Sequence, residues 1–508
     1  VLYCGTSHDS RALAGAAARL RGAGIGLTGL ENCAAPPACY LPTPSHASGV
    51  KVSDRIRHAL ELLHSTHRFS LVEFADWQGF GFRSIQAKRA GLAFGDVPFL
   101  VTLHGSSQWR REAGHHYLSG PDELELDYAE RYAFENADFQ AGINGELLDH
   151  ARRVGWRVRD DARVISNGDA DSNLGHVYGA MLPNRSSACP ECSRSTPLVT
   201  VAIPYFNLGP YLPAALASLA TQTYSSLDVI IIDDGSTDSE SIRVFEEQRR
   251  LYPQFRFLSQ ENAGIGAARN RGLQEARGEF FIPMDADNVA FRHMVERLVR
   301  GIERNPDLAA MTCYFVAFQD DGDLERGQYL YATRPTGGPR VMASFQNVYG
   351  DANAIFRTAV FRKIGGYETD RDTSFEDWEA FVKLVNAGHQ IDVVPDYLFA
   401  YRHREGGFSR VTGAFPNHQR VLRQVIRAEG LPLAEKVALW GALIGLQKHA
   451  AELSQDNRAL RTRLSAWRYR LADKLAALLG RIPLARRALK GLFRSTTSAW
   501  KYITRRAG

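Results

Sequence analysis

Three groups of carboxylates, spread along the middle of the chain, are the residues with the most obvious chemistry. Asp233-Asp234-Gly235-Ser236-Thr237-Asp238 and Asp285-Ala286-Asp287 are two acidic loops, and Glu376-Asp377-Trp378-Glu379 is the third group. Carboxylates cannot hold an anionic leaving group directly, but carboxylates holding Mg²⁺ or Mn²⁺ can, because the ion acts as a Lewis acid on developing charge. Hard divalent ions take oxygen ligands and keep positions open for phosphate oxygens. At strand spacing Asp285 and Asp287 point the same way and suit one such site. Asp377 is the candidate general base, a role that contributes about 10²–10⁴-fold to rate. An ordinary aspartate, with a pKa of about 3.9, is a weak base at neutral pH. Glu376 and Glu379 would raise it by like-charge repulsion if they lie close in space.

Between the two acidic loops runs Asn262-Ala263-Gly264-Ile265-Gly266-Ala267-Ala268-Arg269-Asn270-Arg271-Gly272. Gly264 and Gly266 would let backbone approach a nucleotide, and Arg269 would pair with phosphate. The Gly-x-Gly lacks the strand-turn-helix setting of a dinucleotide fingerprint, which argues against a dehydrogenase. Each motif alone has a plainer reading. Asp233 to Ser236 is also a turn with a helix cap, Asp285-Ala286-Asp287 a solvated loop, and Glu376 to Glu379 the acidic first turn of a helix capped near Ser374. The ordered set, with both loops at strand ends, is what points to a reaction site.

The elements that must position these residues form an α/β pattern. Leu198–Pro204, Asp228–Ile232 and Phe280–Met284 read as buried strands, and Tyr211–Gln222 as a helix. Ligands in such sheets bind outside the carboxyl ends of the strands, where both acidic loops fall. Upstream, Phe69–Phe74, Val97–Leu103 and Val164-Ile165 read as strands, with helical patterns at Asp54–Thr66 and Leu124–Asn136. Strands alternating with helices imply a second parallel sheet covered on both faces. The expected organisation is therefore a Rossmann-like domain over 1–168, a linker over 169–197, an α/β catalytic domain over 198–410 and a helical tail over 411–508.

The 508 residues carry a net charge of +5, with 44% apolar and 23% charged residues, as in globular proteins. The positive charge belongs to the tail: from Glu435 to Gly508 there are 16 Lys and Arg against 4 Asp and Glu. The remainder is net acidic, and no recognition motif accompanies the basic run, which argues against nucleic acid. Six cysteines form no disulfide framework and fit a reducing compartment; Cys189-Pro190-Glu191-Cys192 is a lone pair without a second pair to complete a zinc site. No stretch reaches the roughly 18 apolar residues of a membrane span. The chain begins at Val1, with no signal peptide.

The segment from about Leu198 to Arg410 resembles a family 2 glycosyltransferase of the GT-A fold. The likeness rests on Val201-Ala202-Ile203-Pro204-Tyr205-Phe206-Asn207, on Gln222 and Tyr224, on the Asn262–Gly272 run, and on Asp285-Ala286-Asp287. Gly350-Asp351-Ala352-Asn353-Ala354-Ile355-Phe356-Arg357 through Ile364-Gly365-Gly366-Tyr367 continues it. The resemblance implies an inverting transferase using a nucleotide diphosphate sugar donor and a glycan or lipid-linked acceptor. By it, Pro204, Asp233, Asp234, Asn262, Gly264, Arg269 and Asp285 serve the nucleotide sugar. Asp287 and His403 serve Mg²⁺ or Mn²⁺, Asp377 is the base, and Asn353, Glu376 and Trp378 lie on the acceptor side.

Residues 1–168 resemble the acceptor half of a family 4, GT-B-type transferase, on Val72–Gly81, Val101-Thr102-Leu103-His104-Gly105, Glu130–Asp138 and Ile165-Ser166-Asn167-Gly168. The donor-binding half of that type is missing, so no independent transfer is expected there. His104 and Glu130 line a residual groove or, more plainly, are a core histidine and a helix-surface glutamate.

In the tail, Leu446, Leu453, Leu460 and Trp467 recur every seven residues beside Ala450, Asn457, Leu464 and Leu471. This reads equally as a self-associating coiled-coil seam over 446–471 or as an amphipathic helix on its own domain. Leucines interleaved with Arg and Lys beyond it suit an anionic membrane surface. Two functions are thus weighed: a metal-dependent transferase building surface polysaccharide or glycolipid at the cytoplasmic face of the cell membrane, and a non-catalytic carbohydrate-binding or scaffold protein that keeps the fold.

Overall fold

The computed structural model describes the strand Leu2–Tyr3 and residues 28–33, 35–43, 48–116, 118, 120–165, 178–179, 181, 196–404 and 412–426. Cys4, Cys189, Cys192, most of the proposed linker, the 446–471 heptads and the basic tail lie outside the described residues. Among the described residues no helix is long and apolar enough to cross a membrane.

Among the described residues fifteen strands build three sheets. β1 (Leu2–Tyr3) and β2 (Thr28–Gly29) form a small parallel pair. β3 (Val72–Ala75), β4 (Phe99–Leu103), β5 (Phe139–Gly142) and β6 (Arg163–Val164) lie side by side in that order, all parallel. Helices Phe82–Arg89, Pro121–Glu135 and Gly145–Arg153 connect them. Pro121 opens its helix at the first turn, where its missing N–H costs nothing, and Asp122 and Glu123 complement the dipole. Asn144 caps the next helix by accepting from the Leu147 amide at 3.0 Å. The elements expected from the sequence are present, with shifted ends: the first helix runs Ser48–His67, and β3 starts at Val72 rather than at Phe69.

The third sheet comprises β7 (Val199–Tyr205), β8 (Leu227–Asp233), β9 (Arg256–Ser259), β10 (Phe280–Pro283), β11 (Val289–Ala290), β12 (Leu308–Phe318), β13 (Tyr331–Thr333), β14 (Ile355–Arg357) and β15 (Gln390–Arg402). Its order is β11-β15-β12-β14-β10-β7-β8-β9, with β13 paired to β12. β10, β7, β8 and β9 run parallel, whereas β14 runs antiparallel to both β10 and β12. Every residue of β7 is buried, as expected for a parallel strand covered on both faces. The period of two divides its side chains: Val201 and Ile203 enter one core, and Ala202 enters the other. The β3–β6 sheet and the large sheet belong to one compact unit ending at Ala442. The protein is therefore α/β, as its sequence pattern implies, with a GT-A-like domain, as the family resemblance implies.

Candidate active site

Four loops at the carboxyl edge of the large sheet, with the loop before helix Glu376–Asn386, enclose a cleft of about 810 Å³. Asp234, Asp285, Asp287 and Asp377 all line it. So do Pro204, Asn262, Gly264 and His403, together with Arg269, Glu376 and Trp378. Asp233 and Asn353 do not line it.

β8 ends at Asp233, and the chain turns there. Asp233 Oδ1 accepts from the Ser236 amide at 3.0 Å, so this carboxylate caps the turn. Asp234 is the residue that faces the cleft. Its Oδ1 accepts from Gln260 Nε2 at 2.7 Å and from the Ala263 amide at 2.9 Å, and its Oδ2 from the Gly264 amide at 2.8 Å. A carboxylate has about four lone-pair sites, so one direction on Oδ2 stays open.

Gly264 adopts φ +91° directly before helix Ile265–Glu275, a conformation that L side chains avoid. A Cβ on Gly266 would lie 2.3 Å from the Glu368 carbonyl oxygen. These glycines therefore admit the chain around 368–371, rather than only a nucleotide. The run also follows β9 and opens a helix, so the expected absence of strand-turn-helix context is corrected. Asn262 accepts through Oδ1 from Arg371 at the cleft's rim.

Arg269 differs from expectation in its partners. It is buried, and its guanidinium donates to Glu376 and, at 2.6 Å, to Asp285 Oδ1. It holds two carboxylates together, while its Nε has no partner within the protein. The Asp285 amide donates to Asn353 Oδ1 at 3.3 Å, so the buried Asn353 braces the β10 loop.

Asp287 is held by Arg404, whose Nε donates to Oδ2 at 2.5 Å, while Arg402 Nε donates to its carbonyl at 3.1 Å. Burial, and then the charge of Asp285, push its pKa up, against the pull of Arg404. His403 lies edge-on to the Tyr331 ring, with centroids 5.9 Å apart.

Asp377 opens the last helix of the site. Burial, followed by the negative charge of Glu376, pushes its pKa up to about 7. The Trp378 amide donates to its Oδ1 at 2.7 Å. Glu379 takes no part, because it is buried against Arg420, and Gln424 Nε2 donates to it at 3.0 Å. The expected cap near Ser374 is also corrected: the cap position is Phe375, left-handed at φ 72°, with no side-chain cap. A non-glycine residue held there costs of order 1–3 kcal/mol, a strain typical of functional sites. Trp378 is buried, and its Nε1 has no partner within the protein.

Sequence reasoning missed Asp351. It lines the cleft, and burial, then Asp285 and Asp377, push its pKa well above the usual carboxylate range. Its sequence signal was its place in the Gly350–Arg357 stretch of the family resemblance, where it was given no role. Arg404, the partner of Asp287, was also missed.

Among the described residues no group of three or more His, Cys, Asp or Glu side chains gathers as a metal cage. Magnesium-type sites need none: one or two carboxylates, substrate phosphates and water suffice. The hard-oxygen donors Asp285 and Asp287 fit that chemistry, and the mutual repulsion recorded at Asp287 is what a cation would relieve.

In the N-terminal sheet both plain expectations are reversed. His104 is exposed, and Glu130 is fully buried. Glu130 accepts from the amides of Gln78 at 2.8 Å and Ser107 at 2.6 Å and from Ser107 Oγ at 2.8 Å.

Comparison with known proteins places this geometry. The family model "Glycosyl transferase family 2" matches residues 200–365. The glycosyltransferase GlyG of Streptococcus pneumoniae is 32% identical over 225 residues, covering 42% of this chain and 73% of its own length. The uncharacterized glycosyltransferase YibD of Escherichia coli is 40% identical over 144 residues, which are 28% of this chain and 41% of that protein. The chain spans about a third to two fifths of the length of several such relatives. Among solved structures, the mannosyltransferase PcManGT of Pyrobaculum calidifontis, in complex with GDP-Man and Mn²⁺, aligns at 21% identity and TM-score 0.38 over 56% of this chain and 88% of its own.

Proposed function

We propose a sugar-transfer reaction for this cleft, from the premise that the chain belongs to glycosyl transferase family 2. The donor is a nucleotide diphosphate sugar, and the acceptor a hydroxyl of a glycan or lipid-linked sugar. The observation that carries the reading is that Asp234, Asp287 and Asp377, distant in sequence, open on one cavity.

Asp234 orients the nucleoside through its open oxygen, and the amides it fixes at Ala263 and Gly264 shape the floor. Mg²⁺ or Mn²⁺ bound at Asp287, with Asp285 and His403 beside it, would neutralise the departing diphosphate. Asp377 accepts the proton of the attacking hydroxyl. The new bond joins that oxygen to the anomeric carbon while the bond from this carbon to the diphosphate oxygen breaks, which inverts the centre. A base pushed up to about 7 is matched to proton transfer near neutral pH. The basic tail would bring this reaction to the anionic inner face of the cell membrane, consistent with surface polysaccharide synthesis.

A screen of nucleotide sugars for donor hydrolysis, with calorimetric titration in the presence and absence of Mn²⁺, tests the reading. Turnover of one donor class with Mn²⁺-dependent affinity is expected. Carbohydrate binding without turnover of any donor would instead favour the non-catalytic alternative.

A further inference from the structure

We infer that the N-terminal domain is a fixed part of the transfer site, with Arg83 as the positioning residue that holds the cleft's far wall. The inference rests on the sugar-transfer reading for its kinetic consequence and on geometry alone for the clamp itself.

The wall in question is the segment from Thr333 to Asp351. Thr333, Pro335, Asn347 and Asp351 line the cleft opposite the nucleotide loops. Most of this segment is neither helix nor long strand, so a ladder of hydrogen bonds along its length does not fix it. The Thr336 and Gly337 amides bond the Val348 carbonyl within the segment, and further fixation comes from the helix Phe82–Arg89, which packs on the other sheet. Arg83 Nη1 donates to the Pro335 carbonyl at 2.8 Å, and Nη2 to the Arg334 carbonyl at 3.0 Å. Gln86 Nε2, one turn on, donates to the Thr336 carbonyl at 3.1 Å. Three consecutive carbonyls of the wall are thus bound by two side chains more than 240 residues upstream. At Gly338 a Cβ would lie 2.7 Å from the Tyr128 ring, so the wall also rests against the helix Pro121–Glu135.

Arg83 is built for this task. Its residue is fully buried, the ring of Tyr314 lies 5.1 Å from its guanidinium carbon, and Gln86 Oε1 takes a further donation at 2.7 Å. Asp54 Oδ1 lies 3.9 Å from Nε and supplies the counter-charge. A planar guanidinium reaches two neighbouring carbonyls at once, which a lysine ammonium cannot do with the same fixed geometry. Arg83 touches no reacting atom. It acts through the wall on Asp351, whose carboxyl stands beside Asp285 and Asp377.

The test uses the full chain carrying Arg83→Met, with Arg83→Lys as the variant that keeps the charge. Amide hydrogen exchange is read peptide by peptide, and kcat and KM are measured for the donor selected by the hydrolysis screen. Faster exchange confined to 334–351, with the loops around Asp234 and Gly264 unchanged, is expected. So is a loss in kcat on the order of 10²-fold at unchanged donor KM, the scale set by a misplacement of about 1 Å. Arg83→Lys should recover part of both effects, and it serves alone if Arg83→Met does not fold. Wild-type exchange over 334–351, or exchange rising equally throughout the chain, would overturn the inference. If the wild type turns over no donor, the transfer reading fails, while the exchange pattern still decides the clamp.

Discussion

Beside each of the two main sheets of this molecule stands a carboxyl group whose pKa is pushed up to about 7: Glu130 near the first and Asp377 at the second. Burial is the leading cause in both. Their surroundings differ. Glu130 accepts three hydrogen bonds from Gln78 and Ser107 and ties two loops to a helix. Asp377 accepts one from the Trp378 amide and opens on a cleft of about 810 Å³ beside Glu376, Asp285 and Asp351. A perturbed carboxyl becomes a base where it keeps lone pairs for a substrate; where the protein occupies them, it is a joint.

Substitutions sharpen that difference. Asp377→Asn should have the largest effect, a fall in kcat of about 10²–10⁴-fold with donor affinity retained, measured by turnover and calorimetry. Unchanged turnover would remove Asp377 from the mechanism. Arg269→Met comes next. It leaves the buried Glu376 and the half-buried Asp285 without their cation, and breaking the buried pair with Glu376 costs about 3–5 kcal/mol. The shift of the urea midpoint reads this loss, and a midpoint equal to wild type would contradict the bridge. Glu130→Ala should cost less, about 1–3 kcal/mol from donors left unsatisfied, with kcat of the folded enzyme unchanged. A large drop in kcat at full folding would break the comparison and move Glu130 into the reaction.

Much of the site was legible in the sequence because it sits at strand ends. A buried apolar run followed by Asp-Asp or Asp-Ala-Asp fixes where those carboxylates emerge, as β8 and β10 do. What was not legible depends on packing between distant segments. Asp351 follows an irregular stretch with no periodicity, and only the fold brings it to Asp285 and Asp377. The pairing of Arg269 with Glu376, from a helix far along the chain, has no signal in the sequence around either residue. Glu130 read as a surface residue because its helix alternates polar and apolar types, but both of its flanks are covered. The left-handed Phe375 carries no sequence signal, since nothing in its residue type asks for that conformation.

The central claim is that a half-buried, ionisable Asp377 takes the acceptor's proton, and the pH dependence of kcat on the wild-type protein tests it most directly. The account predicts a limb with an apparent pKa near 7. Above it the base is ionised and the rate is level; below it the rate falls about tenfold per pH unit as the carboxylate is protonated. The same limb should persist in Glu130→Gln. A kcat that stays flat from well above this pKa to well below it would contradict the claim.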